Sequence, residues 1–189
     1  MHTHRMLVVV MVLLIVSCCV PLAHEPALPA GGPLADGRLS GAWRAIGADA
    51  PLHAYIGPAR EDSATVQIRL LEQRDDGSWK LDEYEAQAAP IEAGGVLSVR
   101  YDNGHAEGYV VVRYVLTAEG GLAVHLPDRD RLVAAIGAGA IAGTIGDGDD
   151  VEITASGASL LAWLHSAAGA RSFGPAFAFV RLGDAAAPH

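Results

Sequence analysis

The sequence predicts an α+β domain in which an antiparallel, curved or barrel-like sheet of hairpins is followed by two C-terminal helices. Two observations indicate the hairpins. Ala64–Gln73 alternates apolar and polar residues with a period of two, and Asn103-Gly104 is a tight-turn signal between two apolar runs. A third observation is the change of pattern after Pro127, where Asp128 and Ser156 each stand where a helix can begin. Strands followed by helices are typical of α+β domains.

The first strand predicted within the domain is Leu39–Ile46, which contains Trp43. Its Gly41-Ala42-Trp43 is similar to the Gly-x-Trp opening of lipocalin-type barrels, in which the tryptophan plugs the closed end. This resemblance spans three residues, and it implies a barrel. The alternative is a tryptophan that is simply part of the core of an unrelated sheet.

The next hairpin joins Ala64–Gln73 to Ser78–Gln87 through a turn that contains Gly77. The apolar face of its first strand consists of Val66, Ile68 and Leu70. In the second strand the apolar residues switch from one face to the other. Trp79 and Leu81 lie on one face of a regular strand, and Tyr84 and Ala86 lie on the opposite face. We therefore expect a β-bulge near Asp82–Glu83.

The clearest hairpin joins Val96–Tyr101 to Gly108–Leu116. Its second strand is apolar on both faces, which predicts a central strand covered on both faces, with the helices that follow as a candidate cover. Leu122–Leu126 then forms the next strand.

The C-terminal part contains the two helices. Asp128 is expected to cap the first, which buries Leu132, Val133 and Ile136 and ends at Gly137 and Gly139. Ser156 is expected to cap the second, Gly157–Ser166, after a strand at Val151–Thr154. The last strand predicted is Ala176–Leu182.

The N-terminal segment Met1–Ser17 is expected to be a signal peptide, because a basic residue precedes the apolar run Met6–Val16. This run is shorter than the roughly 20 residues needed to span a membrane. Ile15-Val16-Ser17-Cys18 resembles the lipobox of bacterial lipoproteins, which implies that Cys18 becomes the acylated first residue of the mature chain. The alternative is ordinary cleavage after Ala23, which leaves no lipid.

The resemblance to lipoproteins also implies a location. The protein would be exported and anchored in a membrane of the cell envelope by its acyl chains, facing the periplasm, and Cys19 after Cys18 suits the outer membrane. Residues 18–37 are rich in Pro, Gly and Ala and are expected to form a tether of about 50 Å. A single domain, 38–183, and a flexible tail, 184–189, complete the chain.

Composition excludes several classes of function. Cys18 and Cys19 are the only cysteines, so the domain must fold without disulfides. Removal of Met1–Ser17 takes away one basic residue, Arg5, and leaves 12 basic and 22 acidic residues, a formal charge of −10. This charge argues against binding of nucleic acid. An aromatic content of 6% leaves few rings for stacking on sugars.

Several local patterns resemble functional motifs, and each has a simpler explanation. The glycines of Gly137–Ala142 follow a helix, whereas a dinucleotide-binding loop must precede one. Ser156 stands between a strand and a helix like a hydrolase nucleophile, but Thr154 and Ala158 stand where that motif needs glycines. The acidic run Asp147–Asp150 lacks the spacing of a calcium loop. Four histidines show no metal-ligand spacing and are expected at the surface: His53, His105, His125 and His165.

No catalytic, cofactor-binding or metal-binding residue is therefore predicted, and lipidation at Cys18 is the one modification. Two classes of function remain. The first is a non-catalytic envelope protein that binds another envelope protein or a small apolar ligand. The second is an envelope hydrolase that uses Ser156 or a histidine with nearby carboxylates. The first is preferred because the hydrolase motifs are incomplete.

Overall fold

The computed structural model describes residues 20–29, 32, 36–60, 64–91, 94–104, 106–146 and 150–183. Within them the strands are β1 (Leu22–Ala23), β2 (Gly41–Ala45), β3 (Leu52–Pro58), β4 (Thr65–Gln73), β5 (Trp79–Ile91), β6 (Gly94–Asp102), β7 (Glu107–Leu116), β8 (Gly121–Pro127), β9 (Gly143–Ile145), β10 (Val151–Ile153) and β11 (Phe173–Arg181). The helices are α1 (Arg129–Gly137), α2 (Gly157–Leu164) and α3 (Ala167–Ala170), and a 3₁₀ turn covers Gly37–Leu39.

Eight of these described strands close into an antiparallel barrel. The order around the wall is β6, β5, β4, β3, β2, β11, β8 and β7, and pairing of β6 with β7 closes the circle. The sequence does not show whether the predicted sheet is only curved or closes into a barrel, and in the structure it closes. Three short strands extend from the wall, because β7 also pairs with β1, which pairs in parallel with β10, and β10 pairs with β9. With α1–α3 beside eleven described strands, the protein is better described as a β-barrel than as α+β.

Two cores lie on opposite sides of the barrel wall. The first fills the barrel, and the second lies between the outer face of the wall and the helices. Strand β7 contributes to both, since Val112 is 7% exposed inside the barrel and Val111 is 4% exposed beneath the helices. The prediction that this strand is covered on both faces is confirmed.

The predicted bulge at Asp82–Glu83 is wrong. Strands β4 and β5 keep one register from Thr65 opposite Gln87 to Gln73 opposite Trp79. Trp79 and Leu81 point outward, and their side chains are 47% and 56% exposed. The inward positions beside them are taken by Lys80 and Asp82, whose ion pair of 2.8 Å lets two charged side chains share the rim of the barrel. The irregularity in pairing occurs instead in β11, between Phe173 and Ala176.

The prediction of a tether is wrong for the part of it that follows Cys19. Residues 20–29 pack on the domain, and both Ala23 and Ala27 have no exposed surface. The backbone N–H of Ala27 donates to Ser98 Oγ at 2.8 Å, and that of His24 donates to the carbonyl oxygen of Ile153 at 3.0 Å. The small side chains of Ala23 and Ala27 allow this close approach. The remaining positions of the predicted tether lie partly outside the described residues.

The predicted caps of the two longer helices are confirmed. Asp128 accepts a hydrogen bond from the backbone N–H of Arg131 at 3.1 Å, and α1 is followed by Gly139 with φ +67°. Helix α2 ends at Leu164, two residues before the predicted end, because Ser166 caps the short helix α3. Strand β3 was not predicted. No helix in the described part of the chain has the length and hydropathy that a membrane crossing requires.

Candidate functional site

The barrel encloses an apolar pocket of about 80 Å³. Apolar atoms alone form its exposed surface. The pocket arises from the alternation of the strands, because every second residue of each strand points into the barrel. The residues that line it are Leu39, Ala54, Ile56, Ile68, Leu70, Tyr84, Leu97, Val99, Val112, Tyr114, Leu122, Val124, Leu126 and Phe179.

The pocket is closed at one end and open at the other. At the end covered by the 3₁₀ turn, Leu39 and Trp43 are 1% exposed and Tyr114 is fully buried. Inward-facing residues nearer the other end are only partly buried, among them Tyr84 and Leu126. Because turns alternate between the ends of an antiparallel barrel, the β2–β3, β4–β5 and β6–β7 connections surround the open end.

Trp43 and Arg181 hold the closed end together. The Nε1 of Trp43 donates to the carbonyl oxygen of Leu39 at 2.9 Å, and the Arg181 guanidinium lies 4.4 Å from the centre of the Trp43 ring. Arg181 also donates to the carbonyl oxygens of Arg38 and of Ser40, the latter at 2.7 Å. The last strand of the barrel thereby fixes the segment that covers its end.

A buried carboxylate, that of Asp36, completes this end, and we call residues 36–39 that carry it the Asp36 cap. The Tyr114 hydroxyl donates to Asp36 Oδ2 at 2.6 Å, and Arg38 donates to Asp36 Oδ1 through Nε at 2.8 Å. Burial alone would raise the pKa of Asp36, but the hydrogen bonds from Arg38 and Tyr114 outweigh it and hold the pKa below the usual value. Burial, reinforced by Asp36, raises the pKa of Tyr114. The Tyr114 hydroxyl is therefore directed to the cap and leaves the pocket apolar.

Glycine permits the Tyr114 ring to reach the cap. A Cβ on Gly95 would lie 2.5 Å from Tyr114 Oη, closer than side-chain atoms come to one another. Gly41 has φ +142°, and a Cβ there would lie 2.8 Å from Arg181 Nη1. Both positions therefore require glycine for the cap to form.

The open end carries polar groups that do not enter the pocket. Lys80 and Asp82 form their ion pair there, beside Tyr84. Burial, together with the nearby Asp82 and Tyr101, raises the pKa of Tyr84 to about 12. The Tyr101 hydroxyl accepts a hydrogen bond from Asn103 Nδ2 at 2.9 Å. The rim therefore carries the uncharged hydroxyl group of Tyr84 and the ion pair of Lys80 with Asp82, whose charges offset each other.

A second feature is a group of exposed large apolar side chains on, or directly after, strands β2–β5, which we call the outer patch. Its members are Ile46, Tyr55, Trp79 and Leu81, each between 46% and 56% exposed. The ring of His53 lies 6.0 Å from that of Trp79. The opposite wall is covered by the helices, so the two sides of the barrel differ in character.

Comparison with known proteins gives no relative. No protein-family model, curated protein or solved structure matches the chain. The chemistry of the pocket then remains as the guide, and a surface formed by apolar atoms alone is of the kind that suits a hydrocarbon group.

The motif residues singled out in the sequence do not join the pocket. Ser156 caps α2, since its Oγ accepts the backbone N–H of Ser159 at 3.4 Å and donates to Ser159 Oγ at 2.9 Å. Gly137 is the last residue of α1 and Gly139 follows it, so these glycines end a helix, as predicted. No cluster of three or more His, Cys, Asp or Glu suited to a metal occurs in the described ranges. Residues 147–149 of the acidic run lie outside those ranges.

The histidines differ in their surroundings. His165 is exposed, as predicted. His53 and His125 are on the outer face of the barrel wall, but each is partly buried there. Nδ1 of His125 lies 3.0 Å from the carbonyl oxygen of Gly174, and His53 packs on Trp79. His105 and Cys18 lie outside the described residues.

Ser156→Ala is expected to lower the free energy of unfolding by about 0.5–2 kcal/mol, because the cap of α2 is lost. Ser156→Asp should be neutral or slightly stabilising, since a carboxylate also caps and interacts favourably with the helix dipole. Denaturation midpoints of both variants measure this. Labelling of the parent by a fluorophosphonate that disappears in both variants would contradict the capping role and indicate a nucleophile.

Proposed function

We propose that the protein is an exported, membrane-anchored envelope protein whose barrel binds a small apolar ligand without catalysis. The pocket is the observation that carries this proposal. It is apolar throughout its exposed surface and closed at one end by Trp43, Arg181 and the Asp36 cap. A hydrolase that uses Ser156 is the alternative, and the capping contacts of that serine weigh against it.

The size and polarity of the pocket limit the ligand. An apolar cavity of 150 Å³ can stay dry and bind benzene, and each buried methylene contributes about 0.8 kcal/mol. A pocket of about 80 Å³ suits a short hydrocarbon group or one end of a longer chain. The polar end of such a chain would remain at the rim, near Lys80 and Tyr84. The ligand class is therefore an apolar or amphiphilic small molecule.

The anchor is proposed on the sequence of the N-terminus. Ile15-Val16-Ser17-Cys18 resembles a lipobox, and the mature charge of −10 provides no basic surface for anionic lipids. The acyl chains on Cys18 would then supply the contact with the membrane. By the same resemblance, the domain would face the periplasm, and the outer membrane is the preferred site.

The pocket predicts the behaviour of Ala54→Leu. Ala54 is 4% exposed and lines the pocket, so the added carbon atoms occupy the space available to a ligand. The parent should enhance the fluorescence of a dansyl-labelled alkyl chain in a saturable manner, because the hydrocarbon end enters the pocket while the dansyl group stays at the rim, and Ala54→Leu should lose at least tenfold in affinity. Overpacking costs about 1–3 kcal/mol, so the melting temperature is measured in parallel to show that the variant is folded.

Ala178→Leu is the matched control, because Ala178 is exposed on the outer face of β11. It should bind the probe like the parent. Equal binding by parent and Ala54→Leu, or no saturable binding by the parent, would refute the barrel pocket as the site. The outer patch would then become the candidate, with an envelope protein as its partner.

The anchor predicts opposite outcomes for the two cysteines. Cys18→Ala should leave the precursor unprocessed or release protein without lipid, because acylation requires the thiol. Cys19→Ala should behave like the parent. Intact mass and detergent partitioning of the exported protein measure the difference. A parent chain that lacks acyl mass would contradict the anchor and leave the ligand proposal standing.

A further inference from the structure

We infer that the mature protein retains Val20–Ala23, so that the signal peptide is removed before Val20 and not after Ala23. The inference rests on the proposed export of the protein. It concerns a choice that the sequence leaves open, since a lipobox cut before Cys18 and an ordinary cut after Ala23 both fit the leader. The structure bears on the choice because the two cuts differ by a segment that belongs to the fold.

The first argument is the position of β1 in the sheet. Ala23 pairs with Tyr109 of β7 on one side and with Ile153 of β10 on the other. In the strand order, β1 is the connection between the barrel and the β9–β10 pair. Cleavage after Ala23 would remove both residues of β1 and leave facing edges of β7 and β10 without their partner.

The second argument is where the side chains of residues 20–23 pack. Val20 and Leu22 pack against the core inside the barrel, while Ala23 is fully buried in the core beneath the helices. The segment therefore contributes side chains to both cores, one on each side of the barrel wall. Its removal would expose apolar surface on each side.

The third argument is the fit of the backbone around Ala23. A Cβ on Gly108 would lie 2.9 Å from the carbonyl oxygen of Ala23, so glycine at that position makes room for β1. Glu25, two residues after Ala23, is also bound to the domain, because its Oε2 accepts a hydrogen bond from the backbone N–H of Gly157 at 2.8 Å. A cut between Ala23 and His24 would thus fall inside a continuously bound segment.

The inference changes how the anchor would hold the domain. If Cys18 is the first residue, Cys19 alone stands between it and the bound segment that begins at Val20. Two residues reach at most about 7 Å. The domain would then lie directly at the membrane surface and not on a tether of about 50 Å.

The test uses the full-length precursor, exported from a bacterial host and purified through a C-terminal tag. Mass spectrometry gives the first residue of the mature chain, and thermal unfolding is compared for the parent, Leu22→Ala and Leu14→Ala. We expect Leu22→Ala to lower the melting temperature by about 4–8 °C, since a retained side chain is lost from the core. Leu14→Ala is the matched control, because both cuts remove Leu14, and its mature protein should melt like the parent.

The outcomes separate this inference from the proposed anchor. A chain that begins at Cys18 with acyl mass supports both. A chain that begins at or before Val20 without acyl mass supports the inference and refutes the anchor. A chain that begins after Val20, at His24 for example, overturns the inference, and so does a mature Leu22→Ala protein that melts at the temperature of the parent.

Discussion

Val112→Asp is expected to leave hardly any folded protein. Val112 lies on β7 in the barrel interior, opposite Leu97, and is 7% exposed. The pocket around it exposes only apolar atoms, its lining includes no basic side chain, and the Tyr114 hydroxyl is already bonded to Asp36. An unpaired charge in such a site costs several kcal/mol, against a total stability of about 5–15 kcal/mol for a domain. Circular dichroism and urea denaturation of the purified variant measure the loss.

Val115→Asp is the control for this experiment. Val115 lies on the same strand, but it is half-exposed and belongs to neither core. Its carboxylate can remain in water, so the variant should fold with a melting temperature near that of the parent. If Val112→Asp unfolded at the same urea concentration as the parent, the closed barrel described above would be wrong.

Tyr114→Phe is expected to lower the free energy of unfolding by about 1–3 kcal/mol at neutral pH, although only one oxygen atom is removed. The hydroxyl is a donor to the Asp36 carboxylate at 2.6 Å, in a site where the Asp36 side chain is 3% exposed. Its loss leaves a buried, charged acceptor with fewer partners. Urea denaturation over a range of pH measures both the size and the pH dependence of the effect.

The sign of the pH dependence follows from the pKa of Asp36. This pKa is lowered in the folded protein, so the carboxylate stabilises the fold above the unfolded value of about 4 and loses this contribution as the pH falls through the folded value. In Tyr114→Phe one of the lowering hydrogen bonds is absent while burial remains, so the pKa of Asp36 rises. The difference between the parent and the variant should therefore be full above about pH 5 and shrink in acid.

Tyr84→Phe is the matched control for the hydroxyl. Tyr84 also faces the barrel interior, but it lies near the open end and away from Asp36. Removal of the Tyr84 hydroxyl should change the free energy of unfolding by less than about 0.5 kcal/mol. The loss of stability in acid should remain that of the parent. A Tyr114→Phe protein with the same stability at every pH would contradict the role of the Asp36 cap.

Only some of the residues that line the pocket could be predicted from the sequence. Alternation placed Val66, Ile68 and Leu70 on one face, and all three belong to the barrel core. The same reasoning fails for β5, because the hydrophobicity of Trp79 and Leu81 predicts an inward face, whereas both are exposed. Continuous pairing with β4 sends them outward and places Lys80 inward, near a rim where a charge can reach water.

The cap at the closed end had no signal in the sequence beyond Trp43. Asp36 stands in a stretch whose Pro and Gly content indicates a linker, and its partner Tyr114 is 78 residues away. Arg181 reaches the carbonyl oxygen of Ser40 across 141 residues. Contacts of this separation depend on how the barrel closes, so neither residue could be assigned a role from its neighbours in the chain.

The sequence by itself determined the features that arise between residues close in the chain. These are the alternation along β4, the turn at Asn103–Gly104, and the caps at Asp128 and Ser156, each of which involves groups within a few residues of one another. Only the tertiary structure decided that the sheet closes, that an apolar pocket remains inside, and that Leu22–Ala23 joins the barrel to the β9–β10 pair. These features depend on pairing and packing between distant segments, where shape and burial select the partner and local pattern does not.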